Sequence, residues 1–261
     1  MTEATSLTEV DLLRQHAEVL FDMDDGGRLI DINEPGGDQA PRLFLARGRT
    51  THRIWFRADV PGPVCDACRR IAESLPAWDG EPTDPTLFQP FRDILDDILD
   101  GGKRDDAPSI GPAYRFGKRT AFAPQALPVG ALAPDAVPFG AETPELRVID
   151  EGSAHLLERF FPYTREVLGA REPVVGAVVD GWVVSACFSA RRRPAASEAG
   201  VATAEPYQGR GLATVVVSAW RDAVERAGAQ PLYSTSWDNT ASRAVARKLG
   251  LIVYAETFSL G

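Results

Sequence analysis

Apolar positions along the chain follow two rhythms. At the N-terminus, Val10, Leu13, Ala17 and Leu20 recur at helical intervals behind Ser6-Leu7-Thr8-Glu9, a capping-box pattern, and predict a first helix over 7–21. Shorter β-branched and aromatic runs predict strands at 28–33, 42–46 and 52–58, with Gly26-Gly27 and Gly36-Gly37 as turns. Helices are expected at 64–74 and 87–99, and a strand at 113–122.

The same alternation resumes past residue 145. A strand is expected at 146–149, then a helix at 153–161 with Leu156, Leu157, Phe160 and Phe161 on its apolar side. Two hydrophobic strands at 173–179 and 181–190 meet at Asp180-Gly181, a strong hairpin signal. A further strand opens at Glu198. Ala213, Val216, Val217, Trp220 and Val224 then mark one amphipathic helix that Ala227-Gly228 ends. A strand at 232–237, a helix opened by Asn239-Thr240-Ala241-Ser242 and closed at Leu249-Gly250, and a last strand at 252–258 complete the chain.

Between the two halves, prolines at 124, 128, 134, 138 and 144 remove ladder and helix donors, so 123–145 reads as an extended linker. The expected organisation is an N-terminal α+β domain (1–122), that linker, and a second domain (146–261) whose mixed sheet is antiparallel in its first half. The helix after Gly211 crosses over to a parallel strand.

Charge narrows the partners. Residues 1–122 carry a net −7 and the remainder −2 of the formal −9, so no clustered basic face for nucleic acid is expected. Arg191-Arg192-Arg193 reads as a solvated strand end. No apolar run reaches a membrane span and Met1–Ser6 lacks a basic-then-apolar leader, so a cytoplasmic location is expected. Three cysteines give no disulfide framework. Cys65 and Cys68 read as two small core residues on one helix turn, and His16, His52 and His155 have no ligand spacing, so no metal is expected.

The chemistry concentrates at Gln208-Gly209-Arg210-Gly211-Leu212-Ala213, between a strand-like run and a helix start. The first turn of a helix has backbone N–H groups without intrahelical partners and the positive end of the dipole. Glycines there let an anion approach closely. The spacing is neither a P-loop nor a dinucleotide fingerprint. With Glu198–Thr203 before it and Pro206-Tyr207 at its edge, it resembles the cofactor motif of the GNAT acyltransferase superfamily, Gln/Arg-x-x-Gly-x-Gly/Ala, matched by Gln208, Gly211 and Ala213. The Asn239-led helix resembles that family's second coenzyme motif.

The resemblance covers about 146–261 and implies a GNAT fold: a central mixed, mostly antiparallel sheet flanked by helices. It leaves open that the N-terminal α+β domain is a diverged half-copy. It implies acetyl-coenzyme A as co-substrate and direct acyl transfer to a small-molecule or peptide amine; the expected role of the N-terminal domain is to shape the acceptor pocket or to mediate homodimerisation. Gln208, Gly209, Arg210, Gly211, Leu212, Ala213 and Thr214 would hold the pyrophosphate. Ala202 and Thr203 would pair with the pantetheine arm, and Asn239 and Ser242 would assist.

The resemblance further implies a base on the motif strand. Glu198 is the first candidate, although the family's usual count falls on Ser197, and a one-residue slip changes the face. Glu205 is the second. Where many members have a sulfur-facing Tyr, this sequence has Ala246, which leaves Tyr254, Tyr233, Ser236 or water as acid. That departure keeps a non-catalytic acyl-coenzyme A-binding module open as the alternative. The acceptor is not legible here.

Overall fold

The computed structural model describes residues 7–98, 108–117 and 144–261. In chain order the elements are α1 (Glu9–Leu20), β1 (Phe21–Met23), β2 (Leu29–Ile32), β3 (Leu43–Arg47), β4 (His52–Phe56), α2 (Gly62–Ser74), α3 (Gln89–Ile98) and β5 (Ser109–Arg115). There follow β6 (Glu145–Ile149), α4 (Pro162–Glu166), α5 (Leu168–Arg171), β7 (Val174–Val179), β8 (Trp182–Arg193), β9 (Ala196–Thr203), α6 (Leu212–Arg226), β10 (Gln230–Ser234), α7 (Thr240–Lys248) and β11 (Ile252–Leu260). The linker expected at 123–145 lies outside the described residues except at its last two positions, as does the end of the strand expected at 113–122.

These elements form two compact units that interleave in sequence. One takes Met1–Arg115, Ser234–Arg243 and Ile252–Gly261, and the other takes Phe116–Tyr233 and Ala244–Leu251. The last strand joins the first unit because β11 pairs antiparallel with both β3 and β5, a long-range pairing that no local pattern encodes. That unit's main sheet runs β4-β3-β11-β5, and a short β1-β2 hairpin forms a second sheet, bridged to the chain just past β4 at Leu29↔Arg57.

In the first unit, the α1 N-cap is Thr8, not Ser6 as the sequence pattern suggested. Thr8 Oγ1 accepts from Asp11 N (3.2 Å), and Asp11 reaches back to Thr8 N (3.3 Å). Val64, Cys65, Cys68 and Ala72 of α2 and Phe91 and Leu95 of α3 cover Leu43, Leu45, Phe56 and Phe258 of the sheet. Burial of these side chains is the dominant stabilising term.

The second unit's sheet runs β10-β9-β8-β7-β6, antiparallel except for the β9/β10 pair. Asp180 (φ 49°) and Gly181 (φ 76°) make the β7–β8 turn with both residues left-handed, as a two-residue hairpin requires. The helix expected at 153–161 is replaced by a 3₁₀ turn, Ala154–Leu157, and the separate α4. Pro162 keeps Phe161 out of the helical region (φ −136°, ψ 50°) and starts a new helix behind it. Ile149, Leu156, Leu157, Leu168, Val174, Val183 and Ala186 pack on one sheet face. On the other face α6 buries Leu212, Val216, Val217, Trp220 and Val224, and Trp220 Nε1 donates to Ser189 Oγ at 3.2 Å. Gly228 (φ 81°) ends α6 where Ala227-Gly228 predicts it.

Candidate functional site

The loop between β9 and α6 is held open by backbone conformation. A single 3₁₀ turn, Glu205–Tyr207, leads to Gln208 in extended conformation. Gly209 (φ 74°) and Gly211 (φ 79°) are both left-handed, a region that costs a side-chain-bearing residue about 1–2 kcal/mol. Gly211 is itself the N-cap of α6 and supplies no side-chain cap, so the first-turn N–H groups of a 15-residue helix lack a side-chain acceptor.

Side chains brace this loop from beneath. Gln208 Nε2 donates to Thr203 O (3.2 Å), tying the loop to the strand end. Arg210 Nη2 donates to Pro206 O (2.9 Å) with its guanidinium 5.4 Å from the Tyr207 ring centroid, and Tyr207 meets Phe160 edge-on. A guanidinium beside uncapped amides makes the position electropositive. Leu212 is buried as the helix's anchor, while Ala213 and Thr214 are partly exposed in its first turn.

Beside the loop, the sheet opens. The β9/β10 ladder covers Gln230↔Ala196, Pro231↔Ser197 and Leu232↔Glu198 and stops there, so on that edge the backbone of 199–203 runs beyond the ladder. On its other edge β9 is fixed to β8: Ser185 Oγ lies 2.8 Å from Thr203 Oγ1, and Ala204 N donates to Val184 O (2.9 Å). Ala202 is exposed and Thr203 partly so. An unladdered strand edge leading into an anion loop can hold an extended chain that ends in a phosphate.

The candidate bases fall in different surroundings. β9 begins at Ala196, two residues before the expected start, and Glu198 is therefore within the sheet and 2% exposed rather than solvated at a strand start. Ser197 and Ala199 share the α6 face, because Ala199 pairs with Ser189, to which Trp220 donates. Glu198 and Gly200 face the opposite side. Glu205 is exposed in the 3₁₀ turn.

The remaining residues are accounted for separately. Asn239 Oδ1 accepts from Ser242 N (3.0 Å), capping the turn into α7, and the Ser236 hydroxyl beside Asp238 holds that carboxyl below its ordinary range. Ala246 is buried. Tyr254 belongs to the first unit's core, 7% exposed, with its ring 6.0 Å from His16. Cys65 and Cys68 are buried and free, and burial pushes both thiols up, Cys68 to about 11, against the lowering a helix start alone would give. Among the described residues no group of His, Cys, Asp and Glu could hold a metal, and no helix is long and apolar enough to cross a membrane.

A cleft of about 590 Å³ lies at the other end of α6, between Ala223, Val224 and Ala227 on one side and Glu172, Pro173 and Arg192 on the other. Arg192 is spent there on structure, donating to Glu172 O (3.1 Å). The cleft is not where the loop glycines are. Sequence reasoning passed over four buried charges, Arg47, Arg57, Arg171 and Glu256, because nothing local distinguishes a buried arginine or glutamate from a solvated one.

Residues 174–257 match the family model for GNAT acetyltransferases. No curated protein matches the chain. Among solved structures it is similar to a GNAT-family protein from Novosphingobium aromaticivorans (19% identity over 60% of this chain and 65% of that one, TM-score 0.39). It is also similar to a GCN5-related N-acetyltransferase-like protein from Streptococcus suis (18%, 97% and 99%, 0.46). A third is a tandem GNAT protein from the clavulanic acid biosynthesis pathway (20%, 86% and 80%, 0.44). The alignment thus spans just under two thirds of the Novosphingobium protein's length. The stretch that matches the GNAT acetyltransferase model runs from β7 into β11 and contains the motif strand, the glycine loop, α6 and the Asn239 turn.

Proposed function

We propose that the chain transfers an acetyl group from acetyl-coenzyme A directly to an amine. The observation that carries this reading is the junction of two features: the uncapped α6 N-terminus behind Gly209 and Gly211, and the unladdered β9 edge at 199–203. The diphosphate would lie on the N–H groups of 209–214, with the pantetheine arm added to the strand beside Ala202 and Thr203.

In that arrangement the amine nitrogen attacks the thioester carbonyl carbon, the C–S bond breaks, and the amine's proton must leave while the thiolate gains one. A β9 backbone N–H near Thr203 would polarise the carbonyl. Glu198 is the favoured base, through water because it is buried, and exposed Glu205 is the second candidate. With Ala246 at the position where the family often has a Tyr, water is left to protonate the thiolate.

The test is calorimetry with acetyl-coenzyme A followed by thiol release against a panel of amines. Binding with amine-dependent release supports the reading. Binding without any release would favour a non-catalytic acyl-coenzyme A module, and no association would end both.

A further inference from the structure

Three arginines among the described residues are buried, and two of them are neutralised. Arg47 pairs with Glu256 at 3.0 Å, and Arg57 holds Asp59 by two bonds of 2.8 and 2.9 Å. Arg171 is the exception. It is 8% exposed, yet no hydrogen bond or ion pair reaches its guanidinium among the described residues, and its buried Nε has no acceptor.

What holds Arg171 is aromatic. Its guanidinium carbon lies 4.9 Å from the Tyr163 ring centroid and 4.5 Å from that of Phe188. The nearest carboxylate in sequence, Glu172, is turned toward Arg192 instead. Two rings fix the plane of a guanidinium and exclude water from its faces, but they supply no counter-charge. A buried cation without an anion is costly, so the arrangement fits a position where a ligand completes the pair.

The stack is built against the motif strand. Phe188 pairs with Gly200, and a Cβ at 200 would lie 2.4 Å from Phe188 Cε2, so only glycine admits the ring. Gly200 belongs to the unladdered edge. Glu198 lies two residues away on the same face, about 6.6 Å along the strand. A cation and a carboxylate thus share the β9 face opposite α6.

Resting on the acetyltransferase reading, we infer that Arg171 binds a carboxylate of the acceptor, so that the amine acetylated belongs to an amino acid or to a similar carboxylate-bearing amine. Polyamines and aminoglycosides lack the group the guanidinium would pair with. Tyr163, half exposed on α4, covers the outer face of the stack and is the side chain that would move to admit it.

The experiment uses the full chain and matched acceptors: amino acids, the same amino acids with the carboxylate converted to an amide, and spermidine. The carboxylate members should have kcat/KM at least about tenfold above their amides, as expected for a charge-assisted bidentate pair. Arg171→Gln should remove most of that preference with acetyl-coenzyme A affinity unchanged, and Arg171→Lys should restore part of it. Amides or spermidine turned over as well as amino acids by the native protein would overturn the inference, as would an Arg171→Gln variant that keeps the preference. Should that variant not fold, the native comparison decides alone. Failure to bind acetyl-coenzyme A would instead sink the acetyltransferase reading. In that case a rise in melting temperature with an amino acid and not with its amide still supports the guanidinium's role, and equal shifts overturn it.

Discussion

Arg47 Nη1 and Glu256 Oε2 are 3.0 Å apart, with side chains 4% and 0% exposed, on strands separated by more than 200 residues of chain. Thr83 and the Trp237 indole N–H (2.8 Å) also donate to Glu256, so the carboxylate is satisfied from three elements. Glu256→Ala would strand the Arg47 guanidinium without a counter-charge. The expected cost is about 3–5 kcal/mol, read as a lowered urea midpoint, with a change in Trp237 fluorescence. A loss under about 1 kcal/mol would mean the pair is solvated.

Gly211 combines a left-handed backbone with the proposed diphosphate contact. Gly211→Glu should abolish measurable acetyl-coenzyme A binding by placing a like charge in the loop, with backbone strain of only about 1–2 kcal/mol. Calorimetry alongside circular dichroism checks both halves.

Asn239→Ala removes the acceptor for Ser242 N at the start of α7. A stability loss of about 1 kcal/mol is expected, read as a lowered melting temperature. Unchanged melting would remove the capping role.

Glu198→Gln keeps the buried shape and loses the negative charge. On the proposed mechanism, turnover at neutral pH should fall by about 10²-fold or more while coenzyme affinity holds. A pH–rate profile that keeps its acidic limb would move the role to Glu205.

Burial raises the thiols of Cys65, Cys68 and Cys187, with Cys68 pushed to about 11. In the unfolded chain Cys68 loses its proton near its ordinary 9.0, so above that pH the native state binds more protons than the unfolded one, and stability falls as pH rises from about 9 to 11. Cys68→Ala should flatten that decline in urea midpoints. Alkylating reagents at neutral pH should label none of the three thiols until the protein is denatured.

Much of this protein was written locally. The hairpin at Asp180-Gly181, the α6 periodicity, its stop at Gly228 and the glycine loop are all set by neighbours within a few residues, where propensity and φ preference decide. The 3₁₀ turn that replaced the helix at 153–161 could be anticipated from Pro162, since proline restricts the residue before it.

Other features depended on partners far along the chain. The pairing of β11 with β3 and β5 follows from which apolar faces bury together, not from the sequence of β11 itself. The face of β9 that carries Glu198 rather than Ser197 was fixed by its register with β8, since one residue of slip exchanges the two. The buried state of Arg47, Arg171 and Glu256 likewise arose only on folding. The sequence determined where the glycine loop forms because that is local backbone chemistry. Tertiary structure decided which charges lose their water, because desolvation is a property of the assembled core.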